Sequence, residues 1–144
     1  MNTFVTDPDF ALAARSLSRG HLGKRRLEVW QMLRALTGQT RGWANHPAVV
    51  AWTGHARALA GFGLACHTEW IARGYVDTTR GRLADLAATL PDAGAPWWVG
   101  DPAYTAHVRS VLVGKDPAWY GPQWPDVPPL DGPQWWPSPS LVAA

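Results

Sequence analysis

The clearest helix signal lies in residues 18–38, which read SRGHLGKRRLEVWQMLRALTG. Ser18 is a residue type that caps helix N-termini, and Gly38 is a type that ends helices. Apolar side chains recur between them at helical spacing, at Leu22, Val29, Leu33 and Leu36. Such a stripe is typical of a helix that turns one face toward a protein core. We therefore predict a helix over residues 19–37 with this stripe buried.

Comparable signals predict the remaining helices. Asp7-Pro8 and Asp101-Pro102 each place a capping residue before a proline, which is favoured in the first turn of a helix. These pairs predict helices over residues 8–17 and 101–113. An apolar pattern also follows Pro47 and is interrupted by glycines, which predicts a helix over 54–73. A shorter helix is expected over 82–90.

The C-terminal part of the sequence has a different composition. From residue 116 onward it is rich in Pro and Trp, and the motif GPQWP of residues 121–125 recurs as GPQWWP at 132–137. Prolines at this density disfavour a helix or a central strand and favour an extended chain. We predict a single domain, 1–144, in which a tail of residues 116–144 wraps a helical core of residues 1–115.

The predicted fold class is all-α. No alternation of strand and helix patterns occurs, and the three main predicted helices, 19–37, 54–73 and 101–113, are expected to form a compact bundle. The chain has 144 residues, of which 47% are hydrophobic, so it can bury a core without disulfides. Its single cysteine, Cys66, excludes a disulfide framework and any zinc site with several cysteines.

Other functional classes are not supported by the sequence. His55, His67 and His107 do not form pairs at helical metal-ligand spacing, so neither a metal nor a cofactor is expected. No apolar stretch is long enough to span a membrane, and the first residues do not resemble a secretory signal. We expect a monomeric cytoplasmic protein that does not interact with membranes.

The charge is unevenly distributed along the chain. The formal net charge is only +2, but residues 15–41 contain seven of the 13 basic residues and one acid, Glu28. A basic region of this kind indicates an anionic partner at one place on the surface. A solvated helix face explains the same charges equally well.

Glu28 and Glu69 are the only glutamates among 11 acidic residues. We expect Glu69 to pair with Arg73, which follows it by one helical turn. Glu28 lies at the edge of the apolar stripe, with Lys24 and Arg25 one turn earlier. These cations favour an ionised carboxylate, as a general base or a stabiliser of positive charge requires. A helix salt bridge is the alternative interpretation of Glu28.

Several short motifs occur in a fixed order. They are His21-Leu22 before Glu28, GQTRGWANHP at 38–47, Gly54-His55, Glu69-Trp70, RGY at 73–75, the helix of His107, and DPAWY at 116–120. Their order and spacing resemble the pyrimidine-dimer DNA glycosylase family, the phage endonuclease V type, and most closely a group of small bacterial proteins related to it. The resemblance covers nearly the whole chain.

The resemblance implies a compact helical DNA repair enzyme that needs no cofactor. Such enzymes act on damaged double-stranded DNA as glycosylases and abasic-site lyases. The amine of the N-terminal residue attacks C1′ and forms an imine with the sugar, and a helix glutamate assists. By position, the expected catalytic residues are Met1, retained because Asn2 is bulky, and Glu28. The expected DNA-binding residues are His21, Lys24, Arg25, Arg26, Arg41, His46, His55, His107, Trp119 and Tyr120.

Two departures from the family pattern keep other functions open. The segment before Glu28 is several residues longer than in the family, and Leu27 replaces an arginine. One alternative is a non-catalytic module whose Trp-rich tail binds single-stranded nucleic acid by stacking. The other is an enzyme on the same scaffold that acts on a small molecule, with Glu28 and a histidine as its acid–base pair. Only an imine mechanism is trapped by borohydride.

Overall fold

A computed structural model describes residues 2–131 of the chain. Met1 and the second copy of the tail repeat, 132–137, lie outside the described residues. The described part has seven helices and no strand: α1 (Phe10–Ser16), α2 (Arg19–Leu36), α3 (Pro47–Val50), α4 (Ala56–Ala72), α5 (Arg80–Ala88), α6 (Pro102–Lys115) and α7 (Pro117–Tyr120). The all-α prediction is therefore confirmed. Over this range, no helix combines the length and apolar character that a membrane span needs.

The boundaries of the main helices follow the sequence signals. α2 begins after Ser18, whose side chain accepts a hydrogen bond from the backbone N–H of His21. α6 begins after Asp101, whose carboxylate accepts 3.1 Å hydrogen bonds from the N–H groups of Ala103 and Tyr104. The predicted bounds of α2, α4 and α6 therefore hold to within two residues.

The first Asp-Pro pair was misinterpreted. α1 is capped by Asp9, which accepts hydrogen bonds from the N–H groups of Ala11 and Leu12, and the helix begins only at Phe10. Asp7 instead accepts a 2.8 Å hydrogen bond from the N–H of Asp9. Two capping residues stand close together here, and the second one makes the helix cap. The segment 2–9 therefore enters α1 without helical structure.

The tail prediction also needs a correction. A helix was considered incompatible with the prolines, yet α7 begins at Pro117 with Asp116 as its cap. The missing N–H of proline costs nothing in a first turn, where no backbone acceptor is available. The indole N–H of Trp119 and the amide N–H of Gln123 both donate to the carbonyl oxygen of Ser16, at 2.8 and 3.0 Å. This part of the chain is therefore attached to the end of α1.

α2 and α4 cross closely, and Gly63 permits this approach. A Cβ atom at Gly63 would lie 2.6 Å from Cγ1 of Val29 and 2.9 Å from Cδ2 of Leu83. Any larger residue would push the two helices apart. α6 contributes Tyr104 and other side chains to the same core, where the Tyr104 ring lies 4.6 Å from the ring of Trp98. α6 has its main helix contact with α7.

Candidate functional site

The Glu28 carboxylate lies on α2 and is paired with a buried cation. Its Oε2 accepts a 2.7 Å hydrogen bond from Nη2 of Arg25, and the two side chains are 25% and 4% exposed. Burial lowers the pKa of Arg25, while the Glu28 charge acts in the opposite direction. The helix salt bridge is therefore present. Because the carboxylate is still partly open to solvent, it can also accept a proton or stabilise a positive charge.

The N-terminal segment lies against the same part of α2. Residues 2–6 are all buried, and the Phe4 side chain is 5% exposed. The Phe4 ring lies 5.1 Å from the ring of His21 and 5.0 Å from Cζ of Arg25. Asn2 accepts a 2.9 Å hydrogen bond from the N–H of Phe4 through Oδ1. The beginning of the chain is thus packed beside the cation that binds Glu28.

His21 is bound by the C-terminal part of the chain. Its Nδ1 shares a 2.6 Å hydrogen bond with the hydroxyl of Tyr120, which also accepts a 3.0 Å hydrogen bond from the N–H of Ser18. Burial lowers the pKa of His21, and the positive charge of Arg25 lowers it further. Both effects favour the neutral form of the His21 ring.

The loop between α2 and α3 ends at His46, which caps α3. Nδ1 of His46 accepts a 3.0 Å hydrogen bond from the N–H of Ala48. Burial lowers the pKa of His46, and the negative charge of Glu28 opposes this shift. DNA binding by His46 stays a prediction.

An open cavity of about 270 Å³ lies next to this loop. It is lined by Gln31, Arg34, Thr40, Gly42 and Trp43. Gln31 follows Glu28 by about one turn of α2, and the Trp43 ring contacts the ring of His46 at 5.5 Å. Trp43 is 44% exposed, so its ring is available for stacking against a planar group. Sequence analysis quoted this loop as a motif but did not single out Trp43 or Gln31.

The predicted basic residues have different surroundings. Lys24 and Arg41 are exposed and available to an anionic partner. Arg26 is only 15% exposed, because its Nη1 donates to Asp77 at 2.8 Å and its guanidinium stacks over Trp70. A shallow groove of about 350 Å³ runs past this region, lined by Arg19, Gly20, Gly23, Lys24, Arg26, Leu27 and Trp70. The groove concentrates positive charge along one side of α2.

Two residues of the predicted DNA-binding set are buried. Arg25 is 3% exposed and Tyr120 is 0% exposed. Both side chains are enclosed in the protein in this structure, and their contact with DNA stays a prediction. A signal for Arg25 was present in the sequence. It follows Leu22 by three residues and precedes Val29 by four, which places it on the apolar stripe itself.

The remaining predicted residues lie elsewhere on the molecule. Nδ1 of His55 is within 2.9 Å of the carbonyl oxygen of Gly94. His107 is half-buried on α6, and Trp119 is 43% exposed. None of these contacts assigns a function, and DNA binding by the three side chains stays a prediction.

A buried carboxylate that sequence analysis overlooked connects α2, α4 and α5. Asp77 is 1% exposed and accepts hydrogen bonds from Arg26, His67, and the N–H of Arg80. Burial alone would raise the pKa of Asp77, but the Arg80 backbone N–H and His67 bring it down to about 2. Burial also lowers the pKa of His67. This cluster stabilises the fold beside the groove.

No metal site is found among residues 2–131, since no three His, Cys, Asp or Glu side chains are arranged to bind a metal ion. Cys66 is fully buried, and burial raises the pKa of its thiol to about 12. Such a thiol is a core group and not a nucleophile.

The comparison with protein families matches this architecture. The model of the family described as pyrimidine dimer DNA glycosylase matches residues 1–82. This range contains α1 to α4, the Arg25–Glu28 pair and the loop of His46. Searches of curated proteins and of solved structures found no match. The matched range is more than half of the chain, which therefore belongs to the pyrimidine dimer DNA glycosylase family, a family of DNA repair enzymes.

Proposed function

We propose that this protein removes damaged bases from duplex DNA and then nicks the strand at the abasic site, with the amine of Met1 as its nucleophile. The observation that supports this most directly is the position of Glu28, which is partly exposed beside the buried N-terminal segment. Met1 lies outside the described residues.

The first chemical step exchanges one bond at C1′ for another. The lone pair of the neutral amine forms an N–C1′ bond while the glycosidic C1′–N bond breaks, and the leaving base takes that electron pair and a proton from solvent. Cleavage of the C1′–O4′ bond then gives a protonated imine, and O4′ takes the proton lost by the amine. An α-amine suits this step because its reference pKa near 8 leaves about a tenth of it neutral at pH 7.

Glu28 acts in two ways once the imine begins to form. Its negative charge stabilises the protonated imine. The carboxylate then accepts the C2′ proton, which gives an enamine. The enamine electrons form a C2′–C3′ double bond while the C3′–O bond breaks and the 3′ phosphate leaves. Water finally hydrolyses the imine and releases the amine.

The exposed cations supply the contacts with the DNA backbone in this proposal. Arg19, Lys24 and Arg41 are exposed on or near α2, so phosphates can reach them without a rearrangement. The cavity beside Trp43 is lined by Gln31, which follows Glu28 by about one turn of α2, and offers an aromatic ring together with polar side chains. These features support the binding of a nucleic acid to this part of the molecule.

Borohydride trapping tests the proposal. The protein is incubated with ultraviolet-damaged duplex and with abasic duplex in the presence of borohydride, which reduces an imine to a stable secondary amine. We expect a covalent adduct that peptide mapping assigns to Met1, and no adduct after acetylation of the terminus. Lys24 and Lys115 are the only side-chain amines and serve as internal controls.

Two other outcomes would contradict the proposal. An adduct on Lys24 would mean that a side-chain amine is the nucleophile. No adduct with either duplex would exclude imine chemistry on these lesions. It would favour a module that only binds nucleic acid, or an enzyme that acts on a small molecule.

A further inference from the structure

Two energetically unfavourable features occur together next to Glu28. One is the backbone of Phe4, and the other is the guanidinium of Arg25. Unfavourable local geometry persists when the surrounding structure enforces it, and it concentrates at functional sites. Neither feature belongs to the motifs on which the family resemblance depends.

Phe4 has a left-handed backbone conformation, with φ of 51°. It is the only residue other than glycine with positive φ in the described part of the chain. Bulky side chains rarely adopt this conformation, because Cβ crowds the backbone. The hydrogen bond from its N–H to Oδ1 of Asn2 closes a tight turn at the beginning of the chain. This turn fixes Asn2 relative to Phe4.

Arg25 is buried with most of its hydrogen-bonding capacity unused. Among the described residues its side chain donates a hydrogen bond to Glu28 alone, and its Nε and Nη1 have no partner there. Buried polar groups in proteins are nearly always hydrogen-bonded. The Phe4 ring covers one face of the guanidinium at 5.0 Å. Arg25 therefore contacts the N-terminal turn on one side and the carboxylate on the other.

We propose that Phe4 and Arg25 are positioning residues for the proposed reaction. The Phe4 ring holds the turn of residues 2–4 against the Arg25 guanidinium, and Arg25 in turn holds the Glu28 carboxylate. The inference rests on the proposed function, because it gives a reason for placing an amine near Glu28.

The first test measures imine formation under single-turnover conditions on an abasic duplex. Phe4→Leu keeps an apolar side chain but removes the aromatic ring. Arg25→Met keeps a long side chain but removes the guanidinium group. We expect trapping to slow by about 100-fold in each variant, because a misplacement of about 1 Å has effects of this size. Arg25→Lys, which keeps the charge, should recover part of the rate.

Arg73→Met is the matched control. It removes another arginine–glutamate pair within one helix, with Glu69 at 3.0 Å, for which no contact with residues 2–9 is observed. We expect it to lower the melting temperature without slowing imine formation in the folded protein. An equal slowing in Arg73→Met and in Arg25→Met would assign a purely structural role to Arg25 and overturn the proposal.

The second test does not depend on catalysis. Reductive ¹³C-methylation labels three amines, the chain terminus, Lys24 and Lys115, and NMR follows the titration of each. Replacing Glu28 by Gln should move the titration of the terminal amine to lower pH, because a nearby negative charge is lost. The same replacement should have no effect on that amine in Phe4→Leu or Arg25→Met backgrounds.

The two tests distinguish this inference from the proposed function. An amine that responds to Glu28 only when Phe4 and Arg25 are present supports positioning, even if no imine can be trapped. In that case the proposed reaction alone would be wrong. An amine that does not respond to Glu28 in the parent, or responds equally in all backgrounds, would overturn the positioning role.

Discussion

Two arginine–glutamate pairs of the same chemistry are used differently in this molecule. Arg73 binds Glu69 at 3.0 Å and donates its remaining hydrogen bonds to the carbonyl oxygens of Arg15 and Leu17. Arg25 binds Glu28 at 2.7 Å and leaves its other donors without partners among residues 2–131. In each pair the partners are about one helical turn apart, with the arginine first in one pair and the glutamate first in the other. The surroundings of the arginine therefore distinguish a structural pair from a candidate functional one.

The largest expected difference between the pairs is in activity. Glu28→Gln should reduce the single-turnover rate on abasic duplex by roughly 100- to 1,000-fold, since one charged group that stabilises a developing charge contributes this much. Glu69→Gln should leave the rate within about twofold, because removing its charge leaves the site of Glu28 unchanged. Quenched-flow gels measure both rates, and near-UV circular dichroism verifies the fold. Equal rates for the two variants would remove Glu28 from the mechanism.

For stability, the larger effect is expected at the other pair, that of Arg73 and Glu69. Arg73→Met removes a salt bridge and two hydrogen bonds to carbonyl groups at the end of α1. We expect the free energy of unfolding to fall by about 2–3 kcal/mol, the range for hydrogen bonds to a charged group. Urea denaturation measures the change. Arg73→Lys is the control, because it keeps the positive charge but not the guanidinium group. A change in the free energy of unfolding below about 0.5 kcal/mol in Arg73→Met would contradict a structural role.

A third carboxylate, that of Asp77, extends the comparison to the stability of the protein at low pH. The pKa of Asp77 in the folded protein is about 2, below its unfolded value, so the unfolded chain binds the proton more readily as the pH falls. The stabilisation is present above about pH 4 and decreases toward pH 2. The pKa of the buried His67 is also lowered, so the unfolded chain binds this proton more readily. As the pH falls, the free energy of unfolding therefore begins to decrease near pH 6.5. Between about pH 4 and pH 2, where the Asp77 carboxylate takes up its proton, melting temperatures should decrease more steeply in the parent than in Asp77→Asn.

The smallest expected effect concerns the exposed charge beside these pairs. Lys24→Gln should leave stability and chemistry unchanged but weaken duplex binding equally for all sequences. It should lower the slope of log affinity against log salt by about 1, because one phosphate contact releases about one counterion. Arg82→Gln is the control, as its guanidinium stacks on Trp30 away from the groove residues. Identical salt slopes for parent and Lys24→Gln would exclude Lys24 from the DNA contact.

The sequence predicted the helices better than it predicted the surroundings of the site. Ser18, Asp101 and the apolar stripe determine α2 and α6 through contacts within a few residues. Such local signals can be read without the fold. The competition between Asp7 and Asp9 for the cap of α1 depends on packing of the N-terminal segment, which no local pattern records.

The burial of Arg25 and Tyr120 depends on contacts between distant parts of the chain. Tyr120 is separated from Ser18 by 102 residues, so its hydrogen bond cannot be inferred from spacing. Arg25 could have been placed in the core from its position on the apolar stripe, but its charge favoured a surface interpretation. The turn at Phe4 had no sequence signal, because aromatic residues rarely adopt positive φ.

The hydrogen bonds of Tyr120 with Ser18 and His21 limit where the chain can be shortened. The family match ends at residue 82, whereas Trp98, Tyr104 and Tyr120 all lie beyond it and are buried in the common core. A fragment that stops at the family boundary would expose the surfaces these rings cover and would lose the hydroxyl that holds the first turn of α2. Shortened or fused versions of this protein have to keep α6 and α7.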